Sequence, residues 1–71
     1  YDYLGLNGHP EILAAHREAA ERYGTTVSGS RLTSGERAVH AELEAALAEN
    51  YGAEAGLLFV SGHATPSSVF Q

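Results

Sequence analysis

The 71-residue sequence contains no cysteine and no lysine. Without cysteine, disulfides and thiolate metal sites are excluded, and with them two common supports of a small core. A chain of this size buries only about 60% of its unfolded surface and is marginal by itself. Without lysine, neither a P-loop nor covalent chemistry on an ε-amine can be built from these residues. Basic residues are few: Arg17, Arg22, Arg31 and Arg37 face nine acidic residues, for a net charge of −5. Such a balance lacks the basic stripe that neutralises phosphates and argues against a nucleic-acid partner. No apolar run approaches the roughly 20 residues of a membrane helix, and no signal-peptide pattern is present. The missing cysteines fit a reducing compartment, so a cytoplasmic location is expected.

What is present reads as two helices, a short apolar run and a small-residue turn. Tyr1–Leu6 (YDYLGL) is a short extended or turn segment that closes on Asn7-Gly8. Pro10 after His9 suits a first helical position, and Glu11 complements the dipole there. Ile12, Ala15, Ala19 and Tyr23 recur at helical spacing, and Gly24 follows as a cap. This predicts a helix over 10–23. Residues 24–35 (GTTVSGSRLTSG) form a structured loop. Thr33-Ser34-Gly35-Glu36 fits a capping box, so a second helix is expected over 36–50. Val39, Leu43, Ala46 and Leu47 form its seam, Glu42, Glu44 and Glu49 lie off it, and Gly52 ends it. Ala55–Val60 (AGLLFV) lacks alternation, which suits a strand over 55–60 covered on both faces. The fold class expected is therefore α/β, with the chain as one piece of a larger domain.

Ser61-Gly62-His63-Ala64-Thr65-Pro66 follows that run as a tight turn into a third helix. Free amides and positive dipole charge at such a turn suit a phosphate, and Gly62 lets a ligand approach the backbone closely. Ser61, Thr65, Ser67 and Ser68 can add hydroxyl donors. Spacing alone favours an ordinary capped turn over an anion site, and a solvent-facing His63 over a ligand-stacking one. The loop holding Ser28, Gly29, Ser30 and Arg31 reads about equally as a helix connection and as a second anion cradle. His40-Ala41-Glu42 resembles the HxE of zinc deaminases, but the PCxxC partner is absent. The histidines have no metal-ligand spacing.

Taken together, DYLGL, SRLTSG followed five residues later by His40, and LLFVSGHAT resemble the α-oxoamine synthases, in order and over nearly the whole chain. These are fold-type I pyridoxal-phosphate (PLP) enzymes. The resemblance implies the N-terminal portion of the large domain of a homodimeric acyltransferase. That enzyme class condenses an amino acid with an acyl thioester, of coenzyme A or a carrier protein, with decarboxylation in most members. It further implies that the backbone amides of Gly62 and His63, beside Ser61, hold the cofactor phosphate. Ser28, Gly29, Ser30 and Arg31 are expected near the dimer interface and the partner's active site. No catalytic residue is expected in these 71 positions, because the lysine that carries the cofactor lies elsewhere in the family; the chain alone should be inactive.

Several positions depart from the family pattern. Thr26-Val27-Ser28 replaces part of a glycine-rich GSGGSR, Pro66 stands for asparagine, Tyr1 stands where asparagine precedes DYLG, and His63 replaces an aromatic ring. Two other readings stay open: another fold-type I enzyme, such as an aminotransferase or lyase, and a non-catalytic helical interaction module.

Overall fold

Proline at position 10 sets where the first helix begins, because its missing N–H would be unpaired in a first turn in any case. The computed structural model describes residues 1–71. Helix α1 runs Pro10–Tyr23, with the Glu11 N–H donating to His9 Nδ1 at 3.2 Å. Gly24, at φ 77°, closes it by donating its N–H to the Ala20 carbonyl at 2.8 Å. Asp2 organises the residues ahead of α1. Its carboxylate accepts the N–H groups of Leu6 at 3.0 Å and Asn7 at 3.3 Å, and its carbonyl accepts that of Gly5 at 3.1 Å.

Helix α2 spans Ala38–Tyr51 and starts two residues after the expected position. The reason is electrostatic. Glu36 does not reach back to a cap; its carboxylate pairs with Arg31, and its backbone stays extended at φ −70°, ψ 132°. The capping role passes to His40, whose Nδ1 accepts the Arg37 N–H at 2.9 Å. At the other end Gly52 is left-handed, at φ 66°, ψ 30°. The Ala53 N–H bonds to the Ala48 carbonyl at 2.8 Å and the Gly52 N–H to that of Glu49 at 3.2 Å, a Schellman closure. A short helix α3, Ala64–Val69, follows with Pro66 in its first turn.

The expected α/β class is not observed. The structure holds helices only, and residues 55–60 form no strand. The apolar run was read as strand-forming, but a strand needs a neighbour to take its backbone groups. No second extended segment supplies one. Instead the Leu58 N–H donates to the Glu44 carboxylate at 2.9 Å.

Two units divide the chain, Tyr1–Glu36 and Arg37–Gln71. Gly35 is the only buried residue, and no hydrophobic side chain is buried in either unit. The helical seams remain open to water: Ile12 and Leu13 on α1 are 48% and 41% exposed, and Val39, Leu43 and Leu47 on α2 lie between 38% and 46%. No helix is long and apolar enough to cross a membrane.

With no apolar side chain fully withdrawn from water, the main driving force of a cooperative transition is weak. The isolated 71-residue chain is therefore expected to lose its helical circular dichroism gradually on heating. A sharp calorimetric transition near the roughly 0.7 kcal/mol per residue of globular proteins, about 50 kcal/mol here, would contradict this.

Candidate functional site

The turn at 61–63 is built by the way α3 begins. His63 already has helical angles, φ −72° and ψ −44°, so the helical path opens at least one residue ahead of Ala64. Ser61 serves both ends of that opening. Its carbonyl accepts the Thr65 N–H at 3.1 Å, and its Oγ accepts the Ala64 N–H at 3.0 Å. These bonds satisfy two of the amides that a helix start leaves unpaired. The amides of Gly62 and His63 remain, exposed and with no protein acceptor. A Cβ placed on Gly62 would meet nothing within 4 Å, so the approach is open.

Two hydroxyls expected to serve this turn are otherwise engaged. Thr65 Oγ1 donates to the Ser61 carbonyl at 2.9 Å, and Ser67 Oγ donates to the His63 carbonyl at 3.1 Å. Back-bonding of this kind commits the hydroxyl proton to the helix itself. Ser61 differs: its oxygen accepts from Ala64, which leaves its proton available to donate. Two free amides and one hydroxyl proton make a small donor set suited to phosphate oxygens. On this observation the residues fit the phosphate end of PLP.

Ser28, Gly29, Ser30 and Arg31 belong to the other unit and form a local structure of their own. One π-type turn, Arg31–Gly35, closes on the Ser30 carbonyl, which accepts the N–H groups of Thr33, Ser34 and Gly35 at 3.2, 3.0 and 2.6 Å. Ser30 Oγ and Thr33 Oγ1 share a hydrogen bond at 3.0 Å. The turn is wound tightly enough that a Cβ on Gly35 would collide with the Gly29 carbonyl, and one on Gly29 with the Ser34 hydroxyl. The Arg31 guanidinium is held bidentately by Glu36: Nη2 donates to Oε1 at 2.9 Å, and Nε to Oε2. A fork–fork pair fixes the orientation of Arg31. Ser28 is left-handed at φ 54°, and its N–H donates to Thr26 Oγ1 at 3.1 Å.

Glu44, expected off the seam of the second helix, is not left to solvent. Glu44 is half-buried and bonded to Leu58. The available signal was Gly56, since a glycine inside an apolar run marks a place where another backbone comes close. A Cβ at Gly56 would lie 2.7 Å from the Glu44 carbonyl oxygen. His16 is exposed, and His40 is half-buried and caps α2. A shallow hollow of about 310 Å³ near the chain start is lined by Tyr1, Asp2, Tyr3, Leu4 and Leu6, with the two tyrosine rings stacked at 5.5 Å. It includes none of the candidate residues.

Comparison with known proteins decides the family. The chain is 56% identical over 62 residues to 8-amino-7-oxononanoate synthase of Methylobacterium nodulans, a match covering 87% of this chain and 16% of that protein. It is 50% identical over 68 residues to the 8-amino-7-oxononanoate synthase of Geobacter sulfurreducens, covering 96% of this chain and 17% of that protein. The chain is a homologue of part of an α-oxoamine synthase. The enzyme of the same name from Mycobacterium marinum is 48% identical over 62 residues, 87% of this chain and 16% of its own length. The chain thus spans about one sixth of the length of the curated relatives it matches. No family model matches it. No solved structure matches it.

Two substitutions in the π-turn region have opposite expected effects, both read from hydrogen exchange of the amide at position 35. Gly35→Ala forces a Cβ into the Gly29 carbonyl and should cost about 1–3 kcal/mol, as overpacking does. Ser28→Gly removes the left-handed penalty of roughly 1–2 kcal/mol, partly offset by the entropy of glycine, and should slow exchange a few-fold. Unchanged exchange in both variants would contradict the geometry described.

Proposed function

We propose that this chain is part of a PLP-dependent acyltransferase that condenses an amino acid with an acyl thioester, usually with decarboxylation, to an α-amino ketone. The observation that carries the reading is the pair of unpartnered amides at Gly62 and His63, in a chain about half identical to 8-amino-7-oxononanoate synthases. That name makes 8-amino-7-oxononanoate, or a close analogue, the product favoured here.

Within this reading each group on the chain has a task. The Gly62 and His63 amides and the Ser61 hydroxyl hold the cofactor phosphate, assisted by the positive end of α3. When bound, the cofactor supplies an electron sink for the carbanion formed on the amino acid. The His63 side chain belongs to an exposed residue and is available to a ligand at the turn. The stretch Ser28–Arg31 meets the active site of a partner subunit in a homodimer. There its fixed guanidinium acts as part of a preshaped wall, since Glu36 already neutralises much of its charge. Substrate selection by residues 26–28 follows from the same loop, where Ser28 holds a backbone angle that glycine adopts freely. A cytoplasmic site of action accords with these water-borne substrates.

The lysine that would bind the cofactor aldehyde covalently is not among these residues. The 71-residue chain mixed with PLP is accordingly expected to show neither the absorption band of a lysine-bound cofactor nor turnover. The protein at the full length of its relatives should show both, with release of carbon dioxide from the amino acid. In that protein Gly62→Pro, which deletes one amide donor, should weaken PLP binding at least about tenfold, the equivalent of one hydrogen bond to a charged group. A full-length protein that neither binds PLP nor forms an amino ketone from any acyl thioester would overturn the proposal.

A further inference from the structure

The amides of a phosphate turn are useful only if the segment carrying them is held in place, and residues 53–60 belong to no helix or sheet. Leu57 and Val60 on this segment are 70% and 93% exposed, and only Leu58 and Phe59 are half-buried. Two contacts with α2 fix its backbone. The Glu44 carboxylate accepts the Leu58 N–H at 2.9 Å through Oε2, in a half-buried setting, across 14 residues of sequence. At Gly56 the backbone comes so close to α2 that an added Cβ would stand 2.7 Å from the Glu44 carbonyl oxygen and 3.5 Å from its Cα. A helical carbonyl cannot move aside cheaply, because it already takes part in the helix ladder. One residue, Glu44, therefore meets the segment with both its main chain and its side chain.

We infer that Glu44 is a positioning residue: its carboxylate and backbone, closed against Leu58 and Gly56, set where the turn Ser61–His63 presents its amides. The inference rests on the reading of that turn as the seat of the cofactor phosphate. Glu44 touches no ligand; it acts through the segment that leads into the turn, which begins three residues beyond Leu58. A carboxylate is suited to this because a charged acceptor makes a hydrogen bond about twice as strong as a neutral one, and a half-buried site preserves that strength. Gly56 contributes by the absence of a side chain. A residue of any size would hold the segment off α2 and take Leu58 out of reach of Glu44.

The test uses the protein at the full length of its relatives, with PLP, and four variants: Glu44→Ala, Glu44→Asp, Glu44→Gln and Gly56→Ala. Two readouts are taken: the Kd for PLP and the 31P chemical shift of the bound cofactor. Glu44→Asp keeps the charge but is one methylene short of Leu58, while Glu44→Gln keeps an acceptor oxygen at the right reach. The inference predicts a Kd raised about tenfold or more and a displaced 31P resonance for Glu44→Ala, Glu44→Asp and Gly56→Ala. Glu44→Gln should keep the wild-type shift and lose only part of the affinity, since its neutral oxygen has the right reach but is the weaker acceptor. A helix that merely needed a charge at this position would show the reverse order, with aspartate tolerated and glutamine not. If Glu44→Ala fails to fold, the aspartate and glutamine variants still decide. Equal Kd and equal 31P shift in those two, whatever the change in Tm, overturns the inference. Failure of the wild-type protein to bind PLP at all is a separate outcome: it removes the reading of the turn, and this inference with it.

Discussion

A backbone amide or carbonyl that leaves water has to find a partner, and in this chain that requirement shapes nearly every feature. No hydrophobic side chain is buried, so the elements are defined by how their ends are closed. His9 and His40 accept at the starts of α1 and α2, Gly24 and the Gly52–Ala53 pair close their ends, and the Ser30 carbonyl gathers three amides into one turn. Ser61 begins the same task for α3 and leaves it unfinished. The amides of Gly62 and His63 stay unpaired because they open the helical path, where no carbonyl lies one turn earlier to accept them. The two unpaired amides lie beside a serine hydroxyl whose proton is free to donate, and an outside acceptor fits there.

Two close approaches of main chain to main chain govern the loops around that turn and around Arg31. Gly35 lies against Gly29, and Gly56 lies against the carbonyl of Glu44. Each approach brings a carboxylate with it: Glu36 beside the first, gripping Arg31, and Glu44 beside the second, holding Leu58. Glycine supplies the closeness and the carboxylate supplies the direction. The exposed pair of Arg31 and Glu36 contributes at most about 1 kcal/mol to stability. Its larger effect is on orientation, since a forked pair leaves the guanidinium few alternatives.

Periodicity and caps made the helical parts legible. Pro10, the spacing of Ile12, Ala15 and Ala19, and Gly24 define the same bounds that α1 has, Pro10–Tyr23. Gly52 likewise stands where α2 stops. The start of α2 was displaced by two residues because a local capping box and an ion pair compete for Glu36, and sequence spacing does not rank them. The apolar run at 55–60 was misread for a related reason. Absence of alternation says that both faces avoid water, but a strand also needs a hydrogen-bonding neighbour, and this chain holds none. Glu44 was hidden because helical spacing assigns it to a face, whereas its partner is a backbone amide 14 residues away. At the candidate turn, Gly62 and His63 were named from the resemblance, while the loss of the Thr65 and Ser67 hydroxyls to back-bonding depends on χ1 angles that spacing does not encode.

The measurement that bears most directly on the account is a 15N–31P distance determination on the full-length protein, with 15N in the Gly62 and His63 amides and 31P in the bound cofactor. The account predicts that both nitrogens lie within hydrogen-bonding reach of the phosphoryl oxygens, with coupling strong enough to detect for each. Nitrogens that show no dephasing from phosphorus, in a sample where the cofactor is demonstrably bound, would contradict it.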